Sequence, residues 1–191
     1  LKIKDLVCTF SKVVPKEKVL EVNQTHSSII IELEKIQSTP KLIEGDGISW
    51  EKGELGPQDQ LVVKTADCLS LLLLGKKRRY LIHAGWRGLA NGILNIPKEI
   101  GHAFIFPHIQ LCCFEVTEEF QDHFPNSPHF LNKDNKLFFN LKNKAAEELQ
   151  AKFPHIIIKS SPVCTCCSSE RFHSFRRDKT HLRNYTLIKI K

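Results

Sequence analysis

Residues 61–92, LVVKTADCLSLLLLGKKRRYLIHAGWRGLANG, constrain what this chain can fold into more than any other stretch. Residues 69–74 and 80–82 are apolar runs too short for ordinary helices. They are bounded by Gly75 and by the Gly85/Gly88 cluster, and so read as buried strands. Between them Gly75-Lys76-Lys77-Arg78 is a solvated turn, which makes the two strands antiparallel neighbours and lets Cys68, before the first, approach His83, after the second. A thiol and an imidazole held at strand ends suit either a thiolate-tolerant metal such as zinc or a Cys-His nucleophile pair. The competing reading makes Cys68 a small core residue, because unpaired Cys is among the most buried residue types. Asp67 before Cys68, and Ala84-Gly85-Trp86-Arg87-Gly88 after His83, weigh against it, since a core needs neither charge nor backbone freedom.

At 191 residues the chain accommodates a single domain, 1–191, with a substantial core. No apolar run approaches the roughly 20 residues that cross a bilayer, and LKIKDLVCTF lacks both an apolar signal region and a cleavage site. A cytoplasmic location without membrane association is the expectation. The seven Cys, at 8, 68, 112, 113, 164, 166 and 167, are an odd number with two adjacent pairs, so free thiols or metal ligands are expected rather than a disulfide framework. Net charge is +7, but the Lys are scattered and few aromatics alternate with them. That pattern argues against nucleic acid as a partner and suits an enzyme that attracts phosphate or another small anion.

Along the chain, residues 1–10 alternate as a first strand, and residues 19–33 read as two β-rich pieces around the polar island 23–28. Glu44-Gly45-Asp46-Gly47-Ile48 is a turn dense in Gly and acid. Residues 89–100 carry Leu89, Ile93, Leu94 and Ile96 at helical spacing, with Pro97 as a break. Residues 83–88 are therefore a strand-to-helix turn, in which Arg87 is either a phosphate ligand or a surface ion-pair partner. Residues 104–116 look strand-like apart from Pro107, and extended backbone there would send Cys112 and Cys113 to opposite faces. Residues 117–124 form a short helix and residues 141–153 the clearest one, stopped by Pro154. Strands at 155–159 and 185–190 complete the pattern. Cys164-Thr165-Cys166-Cys167 lacks a usual zinc-knuckle spacing, although it could hold a structural zinc together with Cys112 or Cys113. Strands outnumber helices without regular alternation, so α+β with stacked mixed sheets and flanking helices is expected rather than a doubly wound parallel sheet.

Thr65-Ala66-Asp67-Cys68 and His83-Ala84-Gly85-Trp86-Arg87-Gly88 together resemble the hallmark of the family once called multicopper polyphenol oxidoreductases, or laccase-domain proteins, later described as purine nucleoside phosphorylases. The resemblance extends to Gln24-Thr25-His26, with Ser27 where the family has Gly, and to Cys112-Cys113-Phe114-Glu115-Val116, with Phe106 replacing a Gly upstream. It also covers Phe172-His173-Ser174-Phe175-Arg176-Arg177-Asp178. It implies a cysteine-hydrolase-like α+β fold and a zinc, with copper as the other candidate, held by His26, Cys68 and His83. Cys68, His83 and Arg87 would be catalytic, and Arg87, Arg176, Arg177 and Asp67 would contact substrate or phosphate. The implied reaction converts adenosine, inosine, guanosine or methylthioadenosine plus phosphate into free base and the sugar 1-phosphate, alongside adenosine deamination, in a monomer or homodimer.

Three other readings stand beside it. A metal-free cysteine hydrolase or deamidase would use Cys68 as nucleophile and His83 as base. A copper phenol oxidase needs many His, and the nine present show no repeated His-x-His pairs. A basic binding module with a structural zinc needs four ligands, whereas the motifs supply three and an opening.

Overall fold

The structure, a computed structural model, describes residues 2–3 by backbone alone and residues 5–97 and 99–191 in full. Its elements are β1 (Lys2–Ile3), β2 (Leu6–Ser11), β3 (Ile30–Glu32), α1 (Leu33–Gln37), β4 (Gly47–Glu51), β5 (Gln60–Thr65), β6 (Leu69–Gly75), β7 (Arg78–Ala84) and α2 (Trp86–Ala90). Then follow β8 (Ile100–Ile105), β9 (Glu115–Val116), a 3-10 helix (Glu118–His123), β10 (Phe130–Lys133), β11 (Lys136–Phe139), α3 (Leu141–Lys152), β12 (Ile157–Ser160), α4 (Phe175–Asp178) and β13 (Asn184–Ile190).

These make a six-stranded mixed sheet in the order β12-β8-β6-β7-β4-β3, a four-stranded sheet β1-β2-β13-β5 and a small sheet β10-β11-β9. The expected α+β architecture with stacked mixed sheets is what forms, and the 69–74 run explains it. Leu72 and Leu74 pack against Leu6, Leu61, Val63 and Ile188 of the four-stranded sheet. Leu71 and Leu73 pack on the opposite side, with Leu141, Ala145 and Leu149 of α3. A strand covered on both faces needs a near-continuous apolar sequence rather than an alternating one, and its one buried polar residue, Ser70, shares a hydrogen bond with the Thr186 hydroxyl at 2.6 Å. As expected, β6 and β7 are antiparallel, with Ser70 opposite His83.

The alternation of β7 sends Arg79, Leu81 and His83 to the same face. Arg79, nearly buried, forms a two-pronged ion pair with Asp5 at 2.8 and 3.0 Å, Leu81 enters the inter-sheet core, and His83 reaches the end of the layer where a site can open.

Several elements differ from the sequence reading. The first strand is two, β1 and β2, paired antiparallel across a turn; Leu1 and Lys4 lie outside the described residues. Leu33 opens α1 rather than ending a strand. The helix expected over residues 89–100 stops at Ala90. Asn91 caps it, Gly92 follows at φ 77°, and the helical spacing of Leu89, Ile93, Leu94 and Ile96 is satisfied by buried turns; Lys98 lies outside the described residues. The strand over 104–116 ends at Ile105 and resumes only as β9, so Cys112 and Cys113 lie in a turn. The β10–β11 hairpin was not anticipated, although Asp134 and Asn135, at φ 51° and 57°, are the residue types that a two-residue hairpin loop favours. Among the described residues, no helix is long and apolar enough to cross a membrane.

Candidate active site and metal centre

Three segments deliver His26, Cys68 and His83 to one point: a loop before β3, the residue ahead of β6, and the penultimate residue of β7. Their donor atoms all lie within 4.8 Å of one another, and the two imidazoles meet edge to face with centroids 4.8 Å apart.

Asp46, fully buried, organises the group. Its carboxylate accepts the amides of Thr25, His26 and Ser27 at 3.1, 3.0 and 2.6 Å and the Ser27 hydroxyl at 2.8 Å. It also lies 2.7 Å from His83 Nδ1. A carboxylate accepts, so Nδ1 carries a proton and Nε2 is the nitrogen left to face Cys68. The reading of residues 44–48 as a polar turn therefore understated Asp46, which fixes one imidazole directly and the other through the backbone of its loop. Ser27, standing where the family pattern has Gly, adds a hydroxyl to this carboxylate. The left-handed backbone falls on His26 instead, at φ 62°.

The glycines of the HAGWRG segment make room. A Cβ on Gly85 would lie 3.0 Å from His26 Cδ2 and 3.2 Å from Cys68 Sγ, and one on Gly88 would lie 3.0 Å from the Ser27 carbonyl oxygen. Gln24 pins the same loop to β5 by pairing its side-chain amide with the Lys64 backbone at 2.7 and 2.8 Å.

Electrostatics couple the group. Burial pushes the Cys68 thiol upward, but the charge on His83 and hydrogen bonds from His26 and His83 outweigh it and bring the thiol down to about 6. Burial pushes His83 downward, while the Cys68 thiolate and the Asp46 carboxylate raise it to about 9. For Asp46, burial is overcome by His83 and by the Ser27 hydroxyl and amide, which hold the carboxyl far below the usual range. An anionic sulfur and an imidazole whose Nε2 can exchange its proton for a metal are donors suited to a divalent ion. The site therefore fits a bound metal with three protein ligands, the count typical of catalytic rather than structural zinc.

The three donors line a cavity of about 470 Å³, within the usual range for small-molecule sites. Arg87 also lines it, with its guanidinium over the Trp86 ring at 4.4 Å. Among the other residues lining the cavity are Lys64, Arg183, Leu42 and Phe175, to which the sequence reading gave no role. Leu42 and Phe175 are large apolar residues left exposed there. Exposure is not visible in sequence, so only the proximity of Phe175 to the Arg176-Arg177 pair hinted at it.

Asp67, Arg176 and Arg177, expected to contact substrate or phosphate, do not line the cavity and are engaged elsewhere. Asp67, at φ 94°, accepts the Thr165 hydroxyl at 2.7 Å, the Ser174 hydroxyl at 2.9 Å and the Arg176 amide at 2.7 Å. Arg177 spends its guanidinium on the carbonyls of Thr165, Cys166 and Phe172 and on Asp178. Arg176 donates to the Glu115 carbonyl at 2.6 Å and lies over the Phe114 ring. All three knit together the loops beneath Cys68 and Phe175.

Stacked mixed sheets that carry an open His-Cys-His donor set at a cationic cavity define a class of chain built around one accessible group able to hold a metal. Residues 5–191 match the family model described as multi-copper polyphenol oxidoreductase laccase, and the chain belongs to that family. The purine nucleoside phosphorylase of Aquifex aeolicus is 38% identical to it over 194 residues, covering 95% of this chain and 87% of the relative. Purine nucleoside phosphorylase CA_C1699 of Clostridium acetobutylicum is 31% identical, over 82% of this chain and 70% of that protein. Among solved structures, protein NMB0706 of Neisseria meningitidis aligns with a TM-score of 0.78 at 25% identity, covering 92% of this chain and 76% of that one. YlmD from Geobacillus stearothermophilus gives 0.72 at 26% identity, with coverage of 90% and 74%.

Proposed function

We propose that this protein is a cytoplasmic, zinc-dependent purine nucleoside phosphorylase, acting on adenosine, inosine, guanosine and methylthioadenosine and also deaminating adenosine. The observation that carries the reading is the convergence of His26, Cys68 and His83 on one side of a cavity that also holds Arg87 and Arg183. The names of the relatives from Aquifex aeolicus and Clostridium acetobutylicum agree with it.

A zinc held by these three residues supplies Lewis-acid charge beside the reactants. Asp46 holds His83 by Nδ1, which would leave Nε2 as the nitrogen to hold the metal, and positions the His26 loop through its amides. Arg87 and Arg183 hold phosphate against the sugar, so that a phosphate oxygen meets the anomeric carbon as the bond to the purine nitrogen breaks. Phe175 and Leu42 cover the flat apolar faces of the base. The donor set favours zinc over a multicopper centre, because the one metal-ligating group among the described residues that contains His has only two of them. Metal-replete protein incubated with these four nucleosides in phosphate should release free base; no release from any of them overturns the reading.

One observation favours a second reading. Cys68, His83 and Asp46 form a thiolate-imidazole-carboxylate line of the kind found in cysteine hydrolases. That reading requires no stoichiometric metal and requires inactivation by iodoacetamide even in zinc-saturated protein, so elemental analysis with alkylation separates the two.

A further inference from the structure

Four thiols gather a second time, away from the cavity. β8 and β12 are parallel neighbours, so the chain leaves both strands at the same end of the sheet. It then forms two turns, 110–114 and 164–168. A parallel bridge pairs His108 with Cys164, and the Thr165 amide donates to the His108 carbonyl at 3.0 Å. The first turn closes with the Cys113 and Phe114 amides on the Gln110 carbonyl, the second with the Ser168 amide on the Cys164 carbonyl. These turns replace the extended backbone that would have separated Cys112 from Cys113. The Sγ atoms of Cys112, Cys113, Cys164 and Cys167 all lie within 4.8 Å of one another, while Cys166 stays outside the group.

The spacing has a specific meaning. Cys112–Cys113, Cys112–Cys167 and Cys113–Cys167 are separated by 3.7, 3.8 and 3.3 Å, and all four residues are free thiols. A disulfide needs sulfurs about 2.0 Å apart. Four sulfurs placed tetrahedrally at about 2.3 Å from a zinc are about 3.8 Å from each other. Cys164 and Cys167 also have the two-residue separation common in zinc-binding pairs, and the Gln110 amide points at Cys164 Sγ from 3.4 Å, a donor that stabilises a thiolate.

We propose that Cys112, Cys113, Cys164 and Cys167 form a second metal site, a closed four-sulfur structural zinc centre. Binding exchanges the four thiol protons for one Zn²⁺, with no change of oxidation state. The set is complete, so no position remains for substrate and the site holds chain rather than performing chemistry. What it holds is the floor of the cavity. Thr165, between two of the ligands, donates to Asp67, which precedes Cys68, and Arg177 of α4 clasps the carbonyls of Thr165 and Cys166. Phe175, at the start of α4, lines the cavity.

Zinc content measured after purification under reducing conditions tests this. The wild-type protein should carry two zinc ions per chain and Cys68→Ala one. Cobalt(II) loaded into Cys68→Ala should give the charge-transfer absorption of a tetrahedral four-sulfur site, and the Cys112→Ser/Cys167→Ser double variant should lose one zinc. Because that variant can fail to fold, alkylation of the wild-type chain provides a second readout. Zinc should protect the exposed Cys112 and Cys167 from iodoacetamide until a chelator is added. A single zinc in the wild type with none in Cys68→Ala, equal alkylation with and without zinc, or a disulfide joining Cys167 to Cys112 or Cys113 in the reduced preparation overturns the proposal. None of these results depends on nucleoside turnover, so failure here is distinguishable from failure of the phosphorylase reading.

Discussion

The His26-Cys68-His83 group and the Cys112-Cys113-Cys164-Cys167 group draw on similar donor atoms but have unlike surroundings. The first is assembled from three separate segments around a fully buried carboxylate and opens onto a cavity. The second is assembled from two adjacent turns at a sheet edge, with two of its four thiols exposed and backbone amides, Gln110 among them, pointing at Cys164. On the proposed reading, three donors and a buried orienting group would leave room for a reactant, whereas four sulfurs without one would only fasten the chain. The distinction between a reacting centre and a brace would then rest on the number and support of the ligands more than on their type.

The largest expected effect comes from removing a donor from the open group. Cys68→Ala should lose the cavity metal and all measurable phosphorolysis, and elemental analysis beside a base-release assay reads both. Altering the support alone should cost less: Asp46→Asn should weaken metal affinity or turnover by about 10 to 100-fold, as outer partners of metal-bound His generally do. An unchanged zinc affinity in a competition titration, together with unchanged turnover, would contradict the role given to Asp46.

Cys8 provides a third thiol environment that sharpens the contrast. Burial in the inter-sheet core pushes its thiol up to about 11, in the opposite direction from Cys68. Since the folded chain keeps that proton and the unfolded chain loses it near 9, the associated stability is present below pH 9 and is lost as pH rises toward 11. Two pK units correspond to about 2.7 kcal/mol at most. Denaturant titrations of wild type and Cys8→Ala should therefore converge in stability across that window, and a constant difference would refute the assignment. The smallest effect is at the rim: Phe175→Ala should raise KM by about tenfold through loss of base stacking, with kcat nearly unchanged. A fall in kcat at constant KM would point instead to a role in chemistry.

How much of this could be read from the sequence depends on whether the meaning of a residue is local. The β6–β7 hairpin and the approach of Cys68 to His83 follow from two short apolar runs and a basic turn, which leave the chain few options. Asp46 was only partly legible, because an acid between two glycines looks the same whether it faces water or orients an imidazole. The placement of Arg176 and Arg177 outside the cavity lining was illegible for a related reason. A guanidinium meets a ligand in the cavity only if it reaches the cavity; Arg177 is spent on three backbone carbonyls and Asp178, and Arg176 turns to the Glu115 carbonyl and the Phe114 ring. The four-thiol group was hidden by geometry: alternation separates adjacent cysteines on a strand, and only the turn beyond Pro107 brings them together. The helix expected over 89–100 failed because turns can bury the same residues at the same spacing.

The central claim is that the His26-Cys68-His83 group drives phosphate into a purine nucleoside. Product analysis of zinc-loaded wild-type protein acting on inosine in phosphate buffer, with Cys68→Ala in parallel, tests it most directly. The account predicts hypoxanthine and ribose 1-phosphate in equal amounts from the wild type and neither from the variant. Intact inosine with the wild type, or undiminished product from Cys68→Ala, would contradict it.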